Sequence, residues 1–250
     1  MALVAVQGLT PMSVLISLAA AAIAAVMVAQ VYRAVVHLRG ESQATCQAAA
    51  KAEKHYVDCL LRIVRFIESR DPCLAGRSQR IGALADSIGR RMGLDARHCE
   101  MLHLAGELHD IGMIAVPRGI IGSRSSLGVK DMVTVREHAG ISHQMLSPLE
   151  SLKPILPAIR HHHERMNGTG YPDGLSGTAI SLEARILAVA DAYDAMTHDR
   201  PYRPAMTPLA AMEELTRCSP DGFDADCVQA IGEVVNVGQL KRAEESCGVR

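Results

Sequence analysis

Apolar positions along the chain follow two patterns. From Met1 to Tyr32 no side chain is charged, and Met12 to Tyr32 is an unbroken, largely apolar stretch. As a helix it is about 31 Å long, enough to cross the hydrocarbon core of a bilayer. A signal peptide would start with basic residues, which Met1-Ala2-Leu3-Val4 lacks; a buried apolar helix is the other alternative. Arg33, Arg39, Lys51 and Lys54 follow, so the positive-inside rule puts the bulk of the chain in the cytoplasm and the short N-terminus outside. Glu41 to Glu68 continues as helix. Its apolar positions, Cys46, Ala49, Val57, Leu60, Leu61, Val64 and Ile67, form a stripe too irregular for a coiled coil, yet one that a second copy in a homodimer would cover. Asp71-Pro72 ends it.

Beyond Pro72 the apolar period is helical throughout. It predicts helices at about 77–92, 96–110, 129–146, 154–162, 182–197, 208–217 and 224–235, with Gly and Pro gathered in loops 111–127 and 164–180. Thr207-Pro208 is a cap followed by proline in the first turn. No alternating pattern argues for a strand, and the last dozen residues read as frayed. The expected class is all-α, with a membrane segment at 1–36, a helical linker at 37–70, a folded domain at 71–236 and a tail at 237–250.

Composition narrows the function. The formal net charge is -1 with no block of like charge, so nothing electrostatic favours a nucleic-acid polymer as partner. The seven cysteines are odd in number and form no Cys-x-x-Cys pair, which reads as reduced thiols.

The chemistry is concentrated in His161-His162-His163-Glu164 and in the Gly170-Tyr171-Pro172 that follows. Consecutive imidazoles suit a packed core poorly, because each brings a polar nitrogen that needs a partner; they suit a divalent cation well. A solvated cluster at a helix end is the plainer reading of that run alone. Matching residues stand elsewhere. His109-Asp110 closes an apolar helix before Gly112, Asp191 lies within the apolar Ile186–Met196, and His138 sits in another helix. A carboxylate isolated in an apolar helix is costly unless paired or metal-bound.

In order and spacing, His109-Asp110, His138, His162-His163-Glu164, Gly170-Tyr171-Pro172 and Asp191 resemble the HD-GYP domain, the cyclic di-GMP phosphodiesterase class of the HD metallohydrolases. Asp173-Gly174-Leu175, Ala184-Arg185-Ile186 and Asp199-Arg200-Pro201-Tyr202-Arg203-Pro204 are similar to family sequence too, and the likeness runs from about Asp71 to Val235. It implies an HD-domain helical bundle with the HD-GYP extension and a centre of two divalent ions, iron or manganese. One ion would take His109, Asp110, Asp191 and a histidine of the preceding helix. The other would take Asp110, His138, His162 and His163. Asp110, shared by both, is the expected catalytic carboxylate, and such a pair clamps a phosphodiester for in-line displacement. Glu164 would orient an imidazole, and Arg200 and Arg203 would hold substrate phosphate. His161 is expected to be a bystander. The resemblance further implies cyclic di-GMP as substrate and a GGDEF-type partner on the Gly170-Tyr171-Pro172 loop; the apolar N-terminal segment adds the expectation of a single-pass protein of the inner (cytoplasmic) membrane.

The chain departs from the pattern at two places. Arg77 stands where the first-helix histidine belongs, and a guanidinium has no lone pair for a metal; Cys73, a turn earlier, is a candidate substitute, although a small hydrophobic cysteine is its plainer reading. Met113 stands where the family usually carries lysine, which removes a positive charge near the scissile phosphate. Three readings follow: a phosphodiesterase of reduced rate, which the retained ligands favour; a degenerate module that binds nucleotide or protein; and a hydrolase of another cyclic dinucleotide.

Overall fold

The computed structural model describes residues 11–69, 74–121, 128–200 and 203–247. Cys73 and the Asp71-Pro72 break lie outside them. Helices run in chain order as α1 (Pro11–Glu68), α2 (Arg77–Arg91), α3 (Ala96–Leu108), α4 (Arg118–Ile121), α5 (Val129–Arg136), α6 (His138–Leu146), α7 (Leu156–His161), α8 (Leu182–Thr197), α9 (Pro208–Cys218) and α10 (Ala225–Cys247), with short 3-10 turns between some of them. Among the described residues there is no strand, only two isolated bridges. The class is all-α, as the helical period predicts.

The chain divides into two units near His55. In the first, α1 is exposed almost throughout; Met12, Leu15, Ile16, Ile23, Val26 and Met27 all face outward. This one helix is long and apolar enough to cross a membrane.

The second unit holds the core. α2 and α3 pack antiparallel, and they approach so closely that a Cβ on Gly106 would lie 2.5 Å from the Gly82 Cα. Any larger residue at this crossing would force the helices apart. α8 lies at the centre: Ala184, Ile186, Leu187, Val189 and Ala190 are buried, which makes it apolar all round, as a central helix must be. Asp95, Ser181 and Thr207 cap α3, α8 and α9 by accepting from His98 N, Ala184 N and Ala210 N. α2 has only Gly76 at its cap position. One of its first-turn N–H groups is met instead by Glu68, the last residue of α1, whose Oε1 accepts from Ser78 N at 2.7 Å and Oε2 from Ser78 Oγ at 3.1 Å.

Two boundaries differ from the sequence expectation. The helix predicted over 129–146 is broken at Glu137 into α5 and α6, which makes His138 the first residue of a helix. α10 runs on to Cys247, well past the expected end near 235.

Candidate metal centre

Three of the predicted ligands stand at helix ends and are held in the same way. His109 follows the last residue of α3, His138 begins α6, and His162 follows α7. Helix ends leave carbonyls without partners, and each imidazole uses one: Nδ1 of His109 to Gly106 O at 2.8 Å, of His138 to Val135 O at 2.6 Å, of His162 to Ile159 O at 2.7 Å. A carbonyl only accepts, so in each ring Nδ1 carries the hydrogen and Nε2 keeps a lone pair in the neutral form. All three Nε2 atoms are buried without a hydrogen-bond partner.

Those lone pairs converge on Asp110. Its Oδ1 lies 3.2 Å from His138 Nε2 and 3.9 Å from His162 Nε2, while its Oδ2 lies 3.1 Å from His109 Nε2. Acceptor facing acceptor at such distances is repulsive unless a metal ion, or a proton on the imidazole, stands between them. Burial lowers the pKa of His109 and His138, but the Asp110 carboxylate beside them outweighs it and raises both. Burial, reinforced by neighbouring imidazoles, takes His162 well below its ordinary value, and burial brings His163 to about 4. The donor atoms of Asp110, His138, His162 and His163 all lie within 4.8 Å of one another. Opposite donors around one ion are about 4.2 Å apart at ordinary metal–nitrogen lengths, so this set fits a divalent ion with little movement. Nitrogen and oxygen donors without thiolate suit iron or manganese.

On the other side of Asp110 the structure places Arg77. Its guanidinium bonds Asp191 Oδ1 through Nη2, which is also 3.7 Å from Asp110 Oδ2, and Nη1 is 3.8 Å from Asp194 Oδ2. Asp191, the other predicted ligand, is therefore paired with arginine, with His109 Nε2 3.8 Å away. Asp194 is held by Arg80 Nε at 2.6 Å. Sequence reasoning missed Asp194, Arg80 and Glu68; only the second carboxylate in apolar α8 offered a signal.

Ser142 was missed as well. Its Oγ accepts from Gly112 N and donates to His109 O, both at 2.8 Å, stitching α6 to the His109–Asp110 turn. Gly112 makes room for this: a Cβ there would lie 2.2 Å from His138 O.

Glu164 does not orient an imidazole, as was expected of it. Its carboxylate accepts from the backbone N–H groups of Asp173, Gly174 and Leu175 at 2.7, 3.0 and 3.1 Å, because three free amides of the turn face it. His161, expected to be a bystander, pairs with Asp173 Oδ2 at 2.8 Å, beside Arg160. The loop so anchored lays Tyr171 on His163, ring centres 4.8 Å apart, with Arg136 5.2 Å over the Tyr171 face. Arg203 donates to Ala195 O at 2.7 Å, at the end of α8, and bridges Arg200 through the backbone. Met113 is half-buried in the 3-10 turn after Asp110.

The chain is similar to known proteins. The HD domain model matches residues 63–227. The cyclic di-GMP phosphodiesterase response regulator RpfG of Xanthomonas campestris is 34% identical over 210 residues, 78% of this chain and 55% of that protein. The 3'3'-cGAMP-specific phosphodiesterase 3 of Vibrio cholerae is 32% identical over 195 residues, 76% of this chain and 42% of that protein. The chain thus spans about half the length of these curated relatives. Among solved structures, Bd1817, an HDGYP protein of Bdellovibrio bacteriovorus, shares the fold at a TM-score of 0.56 and 18% identity, covering 74% of this chain and 64% of that one. With a family match over most of its length and the His109-Asp110 pair at the centre of its site, the chain belongs to the HD-domain family.

Proposed function

We propose that the chain is a metal-dependent phosphodiesterase that opens cyclic di-GMP to the linear dinucleotide pGpG or on to GMP, at a reduced rate, and that α1 tethers it to a membrane. The observation that carries this is the set of buried, unpartnered Nε2 atoms aimed at one carboxylate; relatives named as cyclic dinucleotide phosphodiesterases support it. Asp110, His138, His162 and His163 would hold a divalent ion, which would supply Lewis-acid polarisation of the phosphodiester. The protein's part is to keep His162 and His163 neutral by burial, to fix the His109, His138 and His162 rings through their Nδ1 bonds, and to leave Asp110, 30% exposed, open to the substrate side. Tyr171 and Arg136 border this opening and suit a nucleobase face and a phosphate. Arg200 and Arg203 are assigned to substrate phosphate as well.

The test is hydrolysis of cyclic di-GMP by the purified protein with manganese or iron supplied. We expect turnover that falls by about a hundredfold or more in His138→Ala and His162→Ala. Met113→Lys, which restores a positive charge, should raise the rate by up to about a hundredfold. Arg77 and Met113 favour a second reading, a module that binds nucleotide without turnover; tight binding with no product over many hours would establish it. Cleavage of 3'3'-cGAMP alone would move the substrate to another cyclic dinucleotide. Two partners complete the proposal. A GGDEF-type protein on the loop around Tyr171 is tested by pull-down with and without Tyr171→Ala, and a second copy along Glu41–Glu68 by light scattering.

A further inference from the structure

We propose that the Arg77 guanidinium is the permanent occupant of one of the two cation positions that Asp110 bridges, so that the centre takes a single divalent ion, on Asp110, His138, His162 and His163. This rests on the metal-dependent reading above. The two carboxylate oxygens of Asp110 face different surroundings. Oδ1 meets His138 and His162; Oδ2 meets His109 and Arg77. An ion on the Oδ2 side would need His109 Nε2 and Asp191 Oδ1, which lie 3.8 Å apart. That same Asp191 oxygen accepts the Arg77 hydrogen bond, so the guanidinium sits where the ion's carboxylate ligand would point.

Charge supports the assignment. Asp191 and Asp194 are buried, and burial opposes their ionisation unless positive charge is close. Arg77, itself only 12% exposed, is within 4 Å of Asp110, Asp191 and Asp194, and Arg80 holds Asp194 from its outer side. The carboxylates are therefore matched by two guanidinium groups, with no ion required on that side. A divalent ion entering there would have to displace Arg77 from Asp191 and then sit beside a buried cation it repels. The position on the Oδ1 side carries no such conflict: its four donors contain no arginine and cluster without one. Arginine also suits permanence, since it stays protonated when buried.

The experiment counts metal in the full-length protein, loaded with manganese and freed of loose ions. Wild type should hold about one ion per chain, Arg77→Lys about one, and Arg77→His about two, since the histidine brings a ligand and removes the charge. Paramagnetic resonance of the manganese form should show the hyperfine-resolved spectrum of an isolated ion in wild type and an exchange-coupled spectrum in Arg77→His. Two ions in wild type, or an exchange-coupled wild-type spectrum, overturns the proposal, as does a wild type that takes none. Should Arg77→His not fold, the wild-type count and spectrum decide by themselves. One ion with no hydrolysis of any cyclic dinucleotide would leave this inference standing and remove the proposed activity; two ions with hydrolysis would do the reverse.

Discussion

Ser142 shows how much a single oxygen can decide at the residue scale. It is fully buried, and its hydroxyl satisfies both a donor on Gly112 and an acceptor on His109. Ser142→Ala leaves that N–H and that carbonyl without partners inside the protein, at a cost of about 1–3 kcal/mol. We expect a lower urea midpoint and weaker metal retention, since the His109 carbonyl and the Gly112 N–H flank the ligand Asp110 in sequence. Gly112→Ala should cost more, because the clashing atom is a backbone oxygen that cannot swing aside. The histidines themselves were legible in the sequence, because imidazole in an apolar setting is conspicuous. Ser142 was not, since serine is common and both its partners are main-chain atoms 30 and 33 residues away. Glu164 was legible as important but misassigned: residue type revealed a carboxylate near ligands, and only the turn of the chain shows which N–H groups it meets.

At the scale of elements, α2 depends on a residue outside it. Glu68 supplies the cap that Gly76 cannot, and Arg77 lies in sequence between Glu68 and its partner Ser78. Glu68→Ala should destabilise the protein by about 0.5–2 kcal/mol, read from urea unfolding. Burial raises the pKa of Glu68, with the Ser78 hydrogen bonds countering part of that rise. A raised folded-state pKa contributes stability that is fully present below the unfolded value and lost as pH rises through the folded one. Glu68→Gln, which keeps an acceptor but no titration, should therefore flatten the stability profile above about pH 4. The helices were largely readable from their period; α2, α3 and α8 begin where predicted. The break at Glu137 was not. No Gly or Pro marks it, and Glu137 keeps helical dihedrals; the next residue, His138, stands 3.2 Å from Asp110 Oδ1.

At the scale of the whole molecule, α1 poses the main question of placement. Its apolar residues are exposed in the first unit, and the proposed membrane tether would cover them with a bilayer. The full chain should float with lipid vesicles and resist alkaline extraction. An Ile23→Lys, Met27→Lys double variant should lose that behaviour, since each charge near mid-helix opposes insertion by about 2.5–3.5 kcal/mol. The run from His161 to Glu164 has a molecule-wide consequence of another kind. Two of its residues point to the metal position, while the flanking pair grips the Asp173–Leu175 turn. Four consecutive residues are thus a shared hinge pin: an ion that stiffens His162 and His163 also stiffens the loop on which Tyr171 is carried. Protease resistance of that loop should rise with metal loading, so that a partner touching only the protein's outer surface could read whether the interior is charged with metal.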